Sequence, residues 1–98
     1  MEKKREIDPA ILAAAKSYEA SLSESTPMTH YLVVWHDAGR TRISAEWTKK
    51  RAQAYVYQVD GECFSVKPID GQNGARVEHV NRITQRQWRA MQMGRKRK

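Results

Sequence analysis

Residues His30–Asp37, HYLVVWHD, constrain this chain more than any other stretch. Successive side chains of a strand point to opposite faces, and here both faces are apolar. Leu32 and Val34 lie on one, Tyr31, Val33 and Trp35 on the other. A strand apolar on both sides belongs at the centre of a sheet. Ala38-Gly39 then makes a turn, and Arg40–Trp47 returns. With a two-residue loop, Val34 faces Ile43 and Leu32 faces Ala45, so the apolar sides coincide.

At 98 residues the chain makes one domain, 1–98, with a thin core. Three Trp, four Tyr and one Phe are the large units that can fill it. No apolar run approaches the roughly 18 residues a membrane span needs. The opening MEKKREIDPAILAAAKS is not a signal peptide, because Lys16 breaks its apolar part and acids flank it. A single Cys63 forbids an intrachain disulfide and suits a reducing cytosol.

Before the central strand, Asp8-Pro9 starts a helix: Asp caps free backbone donors and Pro is pre-set for the first helical position. Strong helix formers continue to about Ser23, with Ile7, Ile11, Ala14, Tyr18 and Leu22 on one stripe. That stripe packs either on its own domain or, with Ile11, Tyr18 and Leu22 as contacts, in a partner's groove. Residues 23–29 read as a linker to the sheet, and 1–6 as a frayed end.

After Trp47, the polar, basic Thr48–Gln53 reads as a loop or one helical turn. Ala54–Val59 and Glu62–Val66 then read as a hairpin about Asp60-Gly61, the strongest short hairpin signal in the chain. A helix from Ser44 through Tyr57 competes, but the β-branched and aromatic residues around Val56 weigh against it. Lys67–Gly74 (KPIDGQNG) is a turn-rich loop, and a short strand over about Ala75–Asn81 follows. Thr84 caps a closing helix, with Gln87 completing a capping box. Trp88 and Met91 share its apolar side, and Gly94 is a natural stop before a frayed tail over 95–98.

Chemistry finds little to build on. His30 and His36 would lie about 20 Å apart on one strand at 3.3 Å per residue. There is no HxxxH, no CxxC and no paired carboxylates, so no metal site, no cofactor and no catalytic residues are expected. The loop DGQNG lacks the strand-to-helix context and the lysine of a phosphate-binding loop. The expectation is a protein that is not an enzyme.

Charge is distributed unevenly. The last seventeen residues hold seven cations (Arg82, Arg86, Arg89, Arg95, Lys96, Arg97, Lys98) and no acid, so the whole net charge of +7 comes from this end. The run is a solvated face, a phosphate-binding site with Trp88 stacking on a base, or a docking site in which Arg and Trp meet an acidic protein. No helix-turn-helix or zinc finger is present to aim it at a duplex. Arg86, Arg89, Arg95, Lys96, Arg97 and Lys98 are the candidate partner-binding residues. Separately, the Lys67-Pro68 bond closes a strand or is offered to a prolyl isomerase, since X-Pro bonds interconvert slowly.

Over nearly its full length, including MTHYLVVWHDAGRTRI (Met28–Ile43), VKPIDGQ (Val66–Gln72) and the RKRK end, the chain resembles small bacteriophage anti-RecBCD proteins. The resemblance rests on overall sequence and length, and it transfers no functional residue. It implies a non-catalytic protein of the host bacterial cytoplasm that binds the RecC subunit of the host RecBCD helicase-nuclease. Such a protein would protect phage DNA ends and promote phage recombination. An inhibitor imitating DNA would need an acidic surface, so this basic chain is expected to act from outside the DNA channel or to touch DNA alongside it. The alternative is a small basic phage nucleic-acid-binding or regulatory protein. The expected architecture is α+β: an N-terminal helix, an antiparallel sheet of four or five strands built from hairpins, and a C-terminal helix with a basic tail.

Overall fold

The doubly apolar strand sits where its composition demands. The computed structural model describes residues 6–96, with side chains as far as Met91. It runs α1 (Pro9–Ser21), β1 (His30–Asp37), β2 (Arg40–Glu46), α2 (Lys49–Val59), β3 (Glu62–Pro68), β4 (Ala75–Val80) and α3 (Gln85–Lys96). The strands form one four-stranded sheet ordered β2-β1-β3-β4 with antiparallel neighbours, and a helix stands at each end of the chain. The architecture is α+β. Strand β1 lies between β2 and β3, with Val34 opposite Ile43 and Leu32 opposite Ala45 as the two-residue turn requires. Ala38 and Gly39 both have positive φ, 53° and 81°, the condition for a turn whose twist matches the strands.

Helix α1 begins as its sequence predicts. The Asp8 side chain accepts from Ala10 N at 2.8 Å and Pro9 follows in the first turn. That backbone donor, with lesser help from His36 at 3.3 Å, holds the Asp8 carboxyl below its ordinary range. The apolar stripe of α1 faces its own sheet. Ile11 and Ala15 are buried with Leu32, Val34, Phe64 and Val66, and Ile7, Ala14, Tyr18 and Leu22 pack around them. The groove-binding reading of Ile11, Tyr18 and Leu22 is therefore corrected. The apolar face of β1 and β3 needs a cover, and cover from the same chain avoids the cost of associating two molecules.

The second face is where the fold departs from expectation. Lys49–Val59 is a helix, not a loop followed by a strand, and β3 pairs with β1 and β4 instead of with 54–59. Thr48 caps α2 by accepting from Arg51 N at 3.2 Å. Ala52 and Val56, one turn apart, are buried against Val33 of β1 and Cys63 of β3. Without α2, Val33 and Cys63 would face water, and burying such groups outweighs the modest β preference of Tyr55, Val56 and Tyr57. Asp60-Gly61 ends the helix. Asp60 takes the left-handed conformation at φ 55°, and its N–H and that of Gly61 both return to the Val56 carbonyl, as helix C-caps do.

Helix α2 thus carries the chain from edge strand β2 across β1 to β3, while α1 covers the opposite face. At the far end, Thr84 and Gln87 form the expected capping box: Gln87 N donates to Thr84 Oγ1 at 3.1 Å and Thr84 N to Gln87 Oε1 at 2.9 Å. Helix α3 continues through Gly94 to Lys96 rather than stopping at the glycine. A glycine within a helix costs about 1 kcal/mol but does not by itself end it.

Candidate functional site

Both α2 and α3 carry exposed cations. Lys49, Lys50 and Arg51 are exposed in the first turn of α2, and Arg86 and Arg89 are exposed on α3. A hollow of about 400 Å³ opens between the elements, lined by Glu46, Lys50, Arg51, Ala54, Tyr55, Gln58 and Met91. The sequence places Thr48–Gln53 outside any site. The TKKR run was the available signal, but only a helical reading of 49–59 sets it beside α3.

Three contacts position α3. Gln53, almost fully buried, donates from Nε2 to the Asn81 carbonyl at 2.9 Å and accepts at Oε1 from Ile83 N at 3.2 Å. It thereby fixes the link leaving β4. The Tyr57 hydroxyl donates to the Ile83 carbonyl. The Trp88 ring stacks on Tyr57 with centroids 5.1 Å apart and planes inclined by 21°. The buried Trp88 indole N–H has no hydrogen-bond partner among the described residues. Trp88 is therefore an anchor in its own chain and not a free platform for a base.

Arg82 separates from the rest of the basic run. It donates to Asp60 Oδ1 at 2.7 Å and to the Gly61 carbonyl at 2.9 and 3.3 Å, and its guanidinium lies 5.5 Å from the Tyr57 ring centroid. This cation ties the α3 entrance to the α2–β3 turn. Arg86 and Arg89 are exposed. The backbone of Arg95 and Lys96 belongs to α3 while their side chains, like all of Arg97 and Lys98, lie outside the described residues.

Comparison of the chain with protein-family models, with curated proteins and with solved structures finds no match. Geometry alone therefore speaks for the site.

The histidines are dispersed among separate structural contacts. His30 is buried; its Nδ1 lies 2.7 Å from the Met28 carbonyl and its Nε2 3.0 Å from the Tyr18 hydroxyl. A carbonyl only accepts, so Nδ1 carries the proton of the neutral ring and Nε2 accepts from Tyr18. His36 faces Asp8, and His79 lies 3.0 Å from the buried Glu62. Cys63 is opposite Val80, on the other face of the sheet from His79. Burial pushes its thiol up to about 11, so it is protonated and unreactive at neutral pH. Among the described residues no group of three His, Cys, Asp or Glu side chains can hold a metal ion. None of the described helices is long and apolar enough to cross a membrane.

Lys67 and Pro68 end β3, paired with Arg76 and Ala75, and no peptide bond among the described residues is cis. Lys67 is exposed and Pro68 half-buried. The following turn is held down: Gly74 N donates to the Ser25 carbonyl at 2.6 Å and Thr26 Oγ1 to Asn73 Oδ1 at 3.2 Å.

Proposed function

We propose that this chain is a non-catalytic phage modulator of the host RecBCD helicase-nuclease, acting by protein–protein binding, with RecC as the contacted subunit. The observation that carries the reading is the set of exposed cations on two joined helices, Lys49, Lys50 and Arg51 on α2 and Arg86 and Arg89 on α3. Trp88 of α3 is stacked on Tyr57 of α2, and Lys50 and Arg51 line a hollow beside Glu46 and Met91. Cations steer toward an acidic protein face, and aromatic and Arg side chains anchor such contacts. The whole-chain resemblance to anti-RecBCD proteins names the partner. Acting on the complex from outside the DNA channel, the protein alters nuclease behaviour at phage DNA ends without imitating DNA.

The experiment is competition on purified RecBCD. The protein is expected to stay bound, and to alter nuclease activity, when duplex DNA ends are added in excess. Stoichiometric displacement by DNA ends would place it in the channel and contradict the proposal. The second reading, a nucleic-acid-binding protein, draws on the same cations. It requires DNA affinity in the absence of host protein, falling steeply between low and physiological salt.

The Lys67-Pro68 bond, at the end of β3 beside an exposed lysine, is the proposed contact for a host prolyl isomerase. Pro68→Ala is expected to abolish capture of that enzyme and to leave nuclease modulation to be measured separately. Capture undiminished by the substitution would remove the site from consideration.

A further inference from the structure

The two edges of the sheet are finished differently. At β4 the Val77 N–H is taken by the Glu19 carboxylate at 2.9 Å, and the 69–74 turn is bonded to Ser25. That edge is engaged by α1 at Val77, and the turn before it by the linker. At β2 nothing comparable is present among the described residues. Asp37 and Arg40 flank a two-residue loop, which makes them a hydrogen-bonded pair. Alternation along an antiparallel ladder then points the N–H and C=O of Thr41, Ile43 and Ala45 outward. Those outward groups form a ready template for another strand.

The side chains of this edge say what strand it would take. Arg40, Arg42, Ser44 and Glu46 lie on the α2 side of β2, with Arg42 ion-paired to Asp37 of β1 at 2.8 Å, and Lys50 and Arg51 stand beyond the strand's end beside Glu46. On the α1 side lie Ile43, 38% exposed, and Ala45, followed by Trp47 at 67%. Trp47 meets His30 edge-on at 6.0 Å and borders a cavity of about 220 Å³ lined by Tyr18, His30, Ala45, Glu46 and Trp47 itself. One face of the edge, where Arg40, Arg42, Lys50 and Arg51 outnumber Asp37 and Glu46, is net cationic, and the other is apolar with a hollow at its end. Two copies paired here would bring cationic faces together on chains of net charge +7, so a second copy is a poor occupant.

We propose that the β2 edge binds an extended segment of a partner protein whose acidic and apolar residues alternate. The segment adds as a fifth strand, its carboxylates over Arg40 and, in competition with Asp37, over Arg42, and its apolar side chains against Ile43 and Trp47. The inference rests on the reading of the chain as a protein-binding module and names how the partner is gripped.

The test uses the full chain and a capped eight-residue peptide of alternating Glu and Val, with a Lys/Val peptide of the same pattern as control. The Glu/Val peptide is expected to bind about tenfold or more tightly than the control. It should slow hydrogen exchange at the Thr41, Ile43 and Ala45 amides. Ile43→Pro, which removes one outward donor, is expected to abolish that protection. Because a proline substitution can also perturb folding, Arg40→Glu/Arg42→Glu serves as a second variant and should reverse the preference toward Lys/Val. Equal binding of both peptides, protection at β4 or α3 instead, or concentration-dependent self-association through β2 without peptide binding would each overturn the proposal. Assaying RecBCD binding by the same variants separates the two readings. Undiminished binding by Arg40→Glu/Arg42→Glu overturns strand addition and leaves the nuclease reading standing, whereas peptide binding without RecBCD binding does the reverse.

Discussion

Gly61 is required by space. A Cβ at this position would fall against the Val34 carbonyl oxygen and lie 2.9 Å from Trp35 Cβ, so the end of α2 could not approach β1. Gly61→Ala is expected to lower stability by about 1–3 kcal/mol, the usual range for overpacking, as read by denaturant unfolding. Ala38 is the opposite case: it is exposed at φ 53°, where Asn is better tolerated than Ala. Ala38→Asn should raise stability by a few tenths to about 1 kcal/mol. Cys63 supplies a pH signature. Its folded pKa, about 11, lies above the ordinary 9.0. Its contribution is therefore fully present below pH 9 and is lost as pH rises toward 11. The fall in stability over that window should be shallower in Cys63→Ala than in the parent chain.

At the scale of elements, α3 depends on α2. Gln53 satisfies both the Asn81 carbonyl and the Ile83 N–H, so Gln53→Ala removes two part-buried hydrogen bonds and should cost about 1–3 kcal/mol. Trp88→Ala removes the stack on Tyr57. Hydrogen exchange should then quicken throughout α3 while β1 and β3 remain protected; equal loss of protection in the sheet would show that α3 is part of the central cooperative unit. Other parts of this arrangement were legible from the residues. The β1–β2 register followed from two matching alternations, and the Asp8 cap and the Thr84–Gln87 box followed from local chemistry. Helix α2 was legible only as the competing helix from Ser44 through Tyr57, which the residue preferences outweighed. Tyr55, Tyr57 and Val59 alternate as a strand would, Ala52 and Val56 recur as a helix would, and Asp60-Gly61 serves a hairpin or a C-cap equally well. Only the uncovered side of Val33 and Cys63 decides among these, and that is a property of the assembled sheet. The Gln53 clamp and the Arg82 tie were hidden for the same reason, since both depend on where α2 ends.

For the whole molecule, the basic terminus divides into a cation that holds the fold together and cations that meet solvent. Arg82 belongs to the first kind; Arg86 and Arg89, joined by Lys49, Lys50 and Arg51, to the second. Reversing charge at Arg86 and Arg89 should therefore leave the unfolding midpoint nearly unchanged, within about 0.5 kcal/mol as for most surface substitutions, and should weaken association with an acidic partner. Cutting the chain after Gly94 tests the terminal Arg95–Lys98 separately, because loss of nuclease modulation in a still-folded product would assign that tail to the interface. The central proposal is that this chain acts by binding a host protein complex, with DNA contact secondary. Its most direct measurement is sedimentation of the purified chain with purified RecBCD at physiological salt, with and without duplex DNA ends. The account predicts co-sedimentation in both cases, reduced by Arg86→Glu/Arg89→Glu. A chain that sediments freely beside RecBCD, or that associates only with the DNA, would contradict it.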